Sequence, residues 1–373
     1  MSRAPYFAIG IFLMFTGACA GKDPGDTDDR NTDDTGAYPD AGEKCAENDL
    51  TYQENVSGCQ PTVGDYLPRE NGSADDEWEA CISDDNTYHQ VEESVSSISR
   101  VEVYEAIGEL LWENDAISAE DFIDARVLFE EEQGLGSRVA RRWDPHYKGP
   151  MEGSCEDKGV PEAYPDYCVG PATLQPIIVD AFASGAGGEE MLVNAAKIEA
   201  ALQWFFYVSS IKEATTCEDT PKDCDSCWAY YTGGTPRETP IGLAADIDDL
   251  APATHDRAYD GVLAVRCWRD LDQEMPATDP AMQTRAISQL DTALLRGMSI
   301  LVRQRFLALE CSSGDHRAAT LEALRILVPL LSRGTRERDP AAAGLILGEV
   351  GKEASVIDAD AAIAALDDVY SCP

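Results

Sequence analysis

The stretch GGEEMLVNAAKIEAALQWFFYVSSIKEATT, residues 187–216, decides the fold of this chain. Its apolar side chains recur mostly at steps of three and four residues, which is the spacing of one face of an α-helix. These side chains are Leu192, Ala195, Ala196, Ile198, Ala201, Leu202, Phe205, Phe206 and Val208. The stretch therefore predicts one long helix with a wide apolar face that other elements must cover.

The same period continues on both sides of this helix. It predicts helical sequence from about residue 91 to Gly134, and further helices over 256–273, 280–310 and 358–370. Asp339-Pro340 is an additional start signal, because an Asp cap followed by Pro suits the first turn of a helix. Strand signals are sparse along the chain. The predicted fold class is therefore all-α, a helical bundle with disulfide-stapled loops.

Two of the predicted helices are followed by similar sequences. The helix over 187–216 leads into Cys217, a polar loop and a short helix that ends at Gly233. The helix over 280–310 leads into Cys311, a polar turn and a helix that ends near Gly334. This recurrence predicts an internal duplication at about 170–250 and 256–372, within a helical domain of residues 91–373. The alternative is two unrelated helical hairpins, because any such hairpin shares this pattern.

The N-terminus is typical of an exported protein. A basic n-region and an apolar run from Tyr6 to Phe15 precede Gly17-Ala18-Cys19. The run of about ten residues is too short to span a bilayer, which needs about 20. Residues 1–18 resemble the signal peptide of a bacterial lipoprotein, which implies a lipid on Cys19. The alternative is an ordinary secretory signal that is cut near Ala18 or Ala20.

The residue after Cys19 indicates where such a lipoprotein would reside. Ala20 stands there instead of Asp, so the resemblance implies sorting to an outer membrane, facing the periplasm or the cell surface. Residues 19–44 are rich in Asp, Gly and Thr, which predicts a disordered, self-repelling tether. Residues 45–90 contain three cysteines and many Gly, Asn and Asp residues, which predicts a loop-rich cap.

The net charge of the chain limits the partners it can have. It contains 69 acidic and 29 basic side chains, for a formal charge of −40. Such a surface repels nucleic acid and attracts cations, so we expect no nucleic-acid partner. No H-E-x-x-H and no Gly-rich phosphate loop occurs in the sequence, and an enzyme is not predicted.

The chain contains 12 cysteines, of which 11 remain if Cys19 carries lipid. In an exported protein most of them should form disulfides. The pairs Cys45–Cys59 and Cys155–Cys168 would close short loops. For Cys224-Asp225-Ser226-Cys227 we favour a structural disulfide from Cys217 to one of the two cysteines over a redox pair or a zinc site. The candidate disulfide cysteines are Cys45, Cys59, Cys155, Cys168, Cys217, Cys224, Cys227 and Cys311.

Two short runs resemble a known family. The run CWAYYTG, Cys227 to Gly233, is similar to an element of the algal iron-assimilation proteins. Glu322 to Leu331, followed by Asp339-Pro340-Ala341-Ala342-Ala343, looks like the matching element of the second half. That family is secreted, helical and internally duplicated, and distantly similar to imelysin, whose GxHxxE signature is absent here. The resemblance covers about residues 170–372 and implies a periplasmic or surface protein linked to iron uptake.

Two groups of side chains are candidates for binding a metal. Asp144, His146 and Tyr147 share one polar loop, and carboxylate and phenolate oxygens suit hard cations. Glu199 lies within the apolar stretch and Glu213 follows 14 residues later, so both can face one side of the helix. The alternatives are a polar loop without metal and carboxylates that are solvated or in salt bridges.

Arginines cluster in the last third of the chain. They suit either an anionic ligand such as a carboxylate-bearing metal chelate or, as we favour, ion pairs with the acidic first half. They are Arg296, Arg303, Arg305, Arg317, Arg325, Arg333, Arg336 and Arg338.

Together these patterns lead to two functional hypotheses. The first is an exported lipoprotein that binds iron or another divalent or trivalent cation for uptake, with carboxylates converging between the two repeats. The second is a structural or protein-interaction lipoprotein of the cell envelope that has a protein partner and no small ligand.

Overall fold

The computed structural model describes residues 61–69, 78–93, 95–131 and 134–371, together with Glu54. The predicted signal peptide over 1–18, the lipidation site Cys19 and the tether over 19–44 lie outside the described residues, as do Cys45 and Cys59. No helix in the described part of the chain is long and apolar enough to cross a membrane.

The described residues form helices and no strand. The α-helices are α1 Ser96–Leu110, α2 Ala119–Glu131, α3 Leu135–Val139, α4 Val160–Ala163, α5 Gln175–Ala186, α6 Met191–Thr216, α7 Lys222–Thr232, α8 Leu243–Asp248, α9 Pro252–Leu271, α10 Pro280–Cys311, α11 Gly314–Arg338, α12 Pro340–Val350 and α13 Ala359–Val369. Two 3-10 helices, Ile82–Asp85 and Ala354–Val356, and a π-helix, Gly170–Leu174, are also present. The prediction of an all-α fold is confirmed.

Aspartate and proline start several helices, as the sequence predicts. The Asp339 carboxylate accepts hydrogen bonds from the backbone N–H groups of Ala341 and Ala342 at 2.8 and 3.1 Å, with Pro340 in the first turn. Asp279 caps α10 in the same way through the N–H of Met282 at 3.0 Å. Because these carboxylates pair N–H groups that a helix leaves free, each cap contributes about 1 kcal/mol.

The central helix of the fold is α6. It begins at Met191, four residues after the predicted start at 187, because Gly188 and Glu190 adopt left-handed backbone conformations there. Seventeen of its 26 residues are buried, and it packs against α5, α7 and α11. The apolar stripe predicted from the sequence is thus covered from several sides, which places α6 inside the bundle.

A second long helix, α10, packs against α9, α11 and α13. The predicted hairpins correspond to α6 with α7 and to α10 with α11, and in each pair the two helices are in contact. Their second arms differ, since α7 has 11 residues and α11 has 25. The duplication of the two halves stays a prediction.

The described part of the predicted cap packs onto the helices. Tyr66, Trp78 and Tyr88 are buried in the same hydrophobic core as the helical residues. The Tyr66 N–H donates to Gln289 Oε1 at 2.7 Å, and Gln289 Nε2 donates to the Tyr66 carbonyl oxygen at 2.9 Å. These reciprocal bonds hold the segment against α10.

Three disulfides connect described residues. Cys155–Cys168 and Cys217–Cys224 agree with the sequence analysis, with Cα–Cα distances of 5.4 and 5.2 Å. Cys81–Cys267 joins positions 186 residues apart, a pairing that spacing could not predict. Cys311 is also disulfide-bonded. The prediction for Cys227 is wrong: its thiol is free and fully buried in α7, because Cys224 takes the bond to Cys217.

Candidate functional site

The predicted metal ligands of the 144–147 loop form a network of charged pairs. His146 Nδ1 lies 2.7 Å from Asp144 Oδ1, and His146 Nε2 lies 3.2 Å from Asp291 Oδ2 on α10. Burial opposes the charge on His146, but hydrogen bonds to the two carboxylates outweigh it and raise its pKa from 6.5 to about 9. Below that pH both ring nitrogens carry protons, so His146 offers no lone pair to a metal.

The two predicted glutamates lie far apart. At about 1.5 Å per residue, 14 residues separate Glu199 and Glu213 by about 21 Å along the helix axis, too far for one ion. Glu199 Oε1 accepts from Arg305 Nη2 at 2.8 Å, and Glu213 Oε1 accepts from Arg142 Nη1 at 3.0 Å. Each carboxylate is therefore neutralised by its own arginine.

The expected convergence of metal ligands is wrong for the described residues. Asp144 and His146 lie near Asp291, and Tyr147 lines a cavity together with Asp144 and Arg333. Glu199 and Glu213 lie at two other places on α6. Among the residues that the structure describes, no group of three or more His, Cys, Asp or Glu side chains is arranged to hold a metal ion.

Four of the eight arginines of the last third form ion pairs with carboxylates of this chain: Arg303, Arg305, Arg325 and Arg333. Their partners are Asp367, Glu199, Glu322 and Asp291, which all lie in the second half of the chain, so the expectation that the arginines pair with the acidic first half is wrong for these four. Arg303 pairs with Asp367 at 2.9 Å, and Arg333 pairs with Asp291 at 3.1 Å. They bind carboxylates of this chain and stabilise contacts between helices.

Next to Glu199 lies a carboxyl group with an unusual pKa. Asp246 on α8 accepts hydrogen bonds at Oδ2 from Gln203 Nε2 at 2.8 Å and from the Tyr104 hydroxyl at 3.0 Å. Desolvation, followed by the negative charge of Glu199, raises the pKa of Asp246 from 3.8 to about 7. The folded protein thus holds a proton on Asp246 over a pH range in which the unfolded chain releases it.

Replacing Asp246 by Asn is expected to stabilise the protein above neutral pH. Because its folded pKa is raised, Asp246 contributes stability that is complete below pH 3.8 and is lost as the pH rises through about 7. The neutral amide removes this loss, so urea unfolding at pH 8 should show a gain of about 1–2 kcal/mol that vanishes near pH 4. Asp249→Asn, an exposed position beside the same helix, is the control and should show no such pH dependence. Equal curves for Asp246→Asn and wild type at pH 8 would contradict the raised pKa.

A different group of residues forms the candidate site, which we call the arginine cleft. It consists of two adjoining cavities of about 250 and 340 Å³ between α1, α3, α6, α7 and the loop after α3. The basic side chains of its walls are Arg100, Arg138, Arg141, Arg142, Lys212 and Lys222. Five acidic residues also line the cleft, namely Glu92, Glu156, Glu213, Asp223 and Asp225. The lining thus carries six basic and five acidic groups, against 29 and 69 in the whole chain.

The arginines of the cleft have unused hydrogen-bond donors. Arg100 and Arg142 are only 5% and 4% exposed, and the Nε atoms of Arg100, Arg141 and Arg142 are buried with no hydrogen-bond partner among the described residues. Buried polar groups in native proteins are nearly always paired, and an unpaired one costs about 1–3 kcal/mol. Eight other buried side-chain atoms of the described residues are unpaired as well, so what distinguishes the cleft is that three unpaired atoms belong to neighbouring arginines.

The positive charges of the cleft are also only partly paired with carboxylates. Arg142 pairs with Glu213 and lies 5.3 Å from the ring centres of both Phe205 and Tyr230. Arg100 donates only to uncharged oxygens, those of Ser97 at 3.2 Å and Tyr230 at 3.3 Å. Burial lowers the pKa of Arg100, and the like charges of Arg138 and Arg142 act in the same direction. An anion in the cleft would relieve this repulsion.

Asp223 and Asp225 of the cleft are occupied by contacts within the fold, whereas Glu92 and Glu156, which also line it, are exposed. The Asp225 carboxylate accepts hydrogen bonds from the backbone N–H groups of Val91 and Glu92 and from the Tyr88 hydroxyl at 2.8–3.0 Å. Asp223 accepts from the Thr216 hydroxyl at 2.6 Å. Their acceptor oxygens thus serve the fold, whereas donors of the arginines remain free.

The π-helix fixes the backbone of the arginine loop. The Gly170 N–H donates to the Arg142 carbonyl oxygen at 2.9 Å, and the Asp144 N–H donates to the Tyr167 carbonyl oxygen at 2.7 Å. At Gly170 the two backbones approach so closely that a Cβ atom would overlap the carbonyl oxygen of Val139. Short π-helices are frequent at functional sites, and this one positions Arg142.

A larger cavity of about 730 Å³ lies beside Tyr88, Trp228 and Tyr259. Its arginine, Arg237, pairs with Asp260 at 2.6 Å and with Asp256 at 3.1 Å. Arg237 Nε and Trp228 Nε1 are also buried there without a hydrogen-bond partner among the described residues. Arg237 is the one arginine among the described residues that line this cavity and two carboxylates neutralise it, so the cavity offers less positive charge to a ligand than the arginine cleft.

Sequence reasoning missed the cleft residues. Arg138, Arg141 and Arg142 fall within five positions, in a loop that the helical pattern leaves unassigned, and this local density is a signal that could have found them. Arg100, Lys212 and Lys222 carry no such signal, since they come from three separate helices.

No family model, no curated protein and no solved structure matches this chain. The resemblance to the algal iron-assimilation proteins therefore stays a prediction from two short runs. In the structure, the first run is the end of α7, where Tyr230 and Tyr231 are buried and Gly233 adopts a left-handed φ of 69° that glycine readily accepts.

Proposed function

We propose that this protein is an exported lipoprotein whose helical domain binds a small oxyanion-bearing ligand in the arginine cleft. The observation that carries the proposal is the set of three buried guanidinium N–H groups without a partner, on Arg100, Arg141 and Arg142. Guanidinium groups match carboxylate and phosphate oxygens in geometry and charge. The burial of Arg100 and Arg142 strengthens such contacts, because the local dielectric is lower than in water.

Export and anchoring are the second part of the proposal. Three disulfides between described residues support an oxidising compartment, because disulfides are rare in reducing ones. A lipid on Cys19 would hold the domain at the outer membrane, and the acidic tether over 19–44 would keep it away from the anionic surface.

The arginine cleft favours a cation-uptake hypothesis in which the metal arrives as a chelate and not as a free ion. The carboxylates expected to bind a free ion are paired with Arg142, Arg305 and His146. Iron carried as a carboxylate chelate fits the cleft better, since the arginines would contact the carboxylates of the chelate and not the metal.

Isothermal titration calorimetry at low ionic strength tests this function, with the full chain and with inorganic phosphate, acetate and citrate as probes. We expect saturable binding of at least one probe, and about 5- to 30-fold weaker binding for Arg138→Gln and Arg141→Gln, since each removes one charged contact of about 1–2 kcal/mol. Neither side chain makes a hydrogen bond or an ion pair with a described residue, so both variants should fold.

The matched control is Arg126→Gln on α2, an exposed arginine that pairs with Glu130 outside the cleft. It should bind each probe as the wild type does. If no probe binds the wild type, or if Arg126→Gln weakens binding as much as the cleft variants, the proposal is overturned. The protein-interaction hypothesis without a small ligand would then be favoured.

A further inference from the structure

The two cavities of the arginine cleft share one wall. Arg138, Lys212 and Glu213 line both of them. Arg100, whose Nε atom is unpaired, lines the first cavity, and Arg141 and Arg142, whose Nε atoms are also unpaired, line the second. Each cavity therefore has in its wall a guanidinium group with donor capacity left for an acceptor group.

Carboxyl groups line both cavities, and that of Glu213 lies on the wall between the two positions. Glu92, Asp223 and Asp225 line the first cavity only, and Glu156 lines the second only. Glu213 accepts from Arg142 at 3.0 Å and from Lys212 at 3.0 Å. Burial alone would raise the pKa of Glu213, but the two cations outweigh burial and lower it. Glu213 is thus ionised at neutral pH, and it repels an anionic group placed directly against the shared wall.

Both cavities also contain neutral donors suited to oxyanions. Ser96, Ser97 and Ser226 line the first cavity, and Ser154 lines the second. A carboxylate or phosphate with several acceptor oxygens could use such hydroxyls together with a guanidinium. The segment between two such groups would pass Glu213, where an uncharged linker avoids repulsion.

We propose that the ligand of the arginine cleft carries two oxyanion groups joined by a short uncharged linker, with one group in each cavity. This inference rests on the proposed function, because it assumes that the cleft binds oxyanions. Once the first group is bound, the second binds at a high effective concentration, which increases affinity without any new type of contact.

Calorimetry with a graded series of probes tests this inference on the full chain. The probes are α,ω-dicarboxylates of increasing length, the corresponding monocarboxylates, and α,ω-bisphosphonates with the same spacers. We expect one spacer length to bind about 10- to 100-fold more tightly than its monoanionic counterpart. The dicarboxylate and bisphosphonate arms distinguish the two oxyanion chemistries.

Variants on either side of the shared wall should weaken the binding of dianions more than the binding of monoanions. Arg100→Lys keeps the charge but removes the Nε–H group, and Arg141→Gln removes one of the two arginines with an unpaired Nε atom that line the other cavity. Either change should reduce the affinity for the best dianion to near that of a monoanion. The double variant should add little loss beyond the larger single effect. Circular dichroism checks the fold of each variant. If Arg100→Lys is unfolded, Lys222→Gln replaces it, because Lys222 is exposed and lines only the first cavity.

The outcomes separate this inference from the proposed function. If monoanions bind and no dianion binds more tightly, the inference of two linked groups is wrong and the oxyanion function stands. If no probe of any kind binds, both are wrong. If a dianion binds tightly but only the Arg141 side matters, the ligand occupies one cavity and the inference is again overturned.

Discussion

Replacing Asp291 by Ala is expected to lower the free energy of unfolding by about 2–4 kcal/mol. Its carboxylate joins four segments of the chain: it lies 2.7 Å from the Tyr207 hydroxyl on α6, 3.2 Å from His146 Nε2 and 3.1 Å from Arg333 Nη2 on α11. Without it, an imidazolium and a guanidinium lose a shared counter-charge in a mostly buried position. Urea unfolding at pH 6 measures the loss.

The loss should depend on pH in a defined direction. Because the pKa of His146 is raised from 6.5 to about 9, its stabilising contribution is complete below pH 6.5 and is lost as the pH rises through about 9. The difference between Asp291→Ala and wild type should therefore be smaller at pH 10 than at pH 6. In the variant, nuclear magnetic resonance titration should show a lower pKa for His146.

Asp367→Ala is the matched control. Asp367 also pairs with an arginine, Arg303 at 2.9 Å, but its side chain is 47% exposed. Exposed pairs contribute little, so its removal should change stability by less than about 1 kcal/mol. Equal losses for the two variants at pH 6 would mean that the His146 network contributes no more than an ordinary surface pair.

Replacing Gly170 by Ala is expected to lower the free energy of unfolding by as much as Asp291→Ala does, or by more. The new Cβ atom would overlap the Val139 carbonyl oxygen and lie 2.8 Å from the backbone nitrogen of Arg142. Backbone atoms cannot move aside as flexible side chains can, so we expect a loss of about 3 kcal/mol or more, measured by thermal and urea unfolding.

The same substitution at Gly344 should have the opposite sign. Gly344 lies on the exposed face of α12 with open space around it. Alanine there should stabilise the helix by about 0.5–1 kcal/mol. In the variant Gly170→Ala, the displaced loop should also weaken anion binding, which Gly344→Ala should leave unchanged. Wild-type stability and binding in Gly170→Ala would show that the loop tolerates displacement.

The helices could be predicted from the sequence because their signals are local. The predicted stretch 280–310 differs by one residue from Pro280–Cys311, and 358–370 differs by one residue at each end from Ala359–Val369. The period of apolar residues and the Asp-Pro starts depend only on neighbours along the chain. Cys155–Cys168 could be predicted for the same reason, since it closes a short loop.

The site could not be predicted because it depends on which helix faces are neighbours. Glu199 and Glu213 have the spacing of one helix face, but the sequence does not indicate that Arg305 and Arg142 lie opposite them. Likewise, Arg100 meets Arg142 only because α1 and the loop after α3 converge on Tyr230. Such contacts join residues that are tens of positions apart.

The Cys81–Cys267 disulfide would hold the molecule together after a protease cuts its backbone. It closes residues 81–267 into a covalent ring that includes α1 to α8 and most of the arginine cleft. Met151 lies within this ring and is 97% exposed, so it is a natural place for a protease to cut. A single cut there opens the ring but leaves both fragments joined by the disulfide. On a gel, the cut chain would migrate as one species until a reductant breaks the disulfide. In an oxidising environment its two fragments would stay joined.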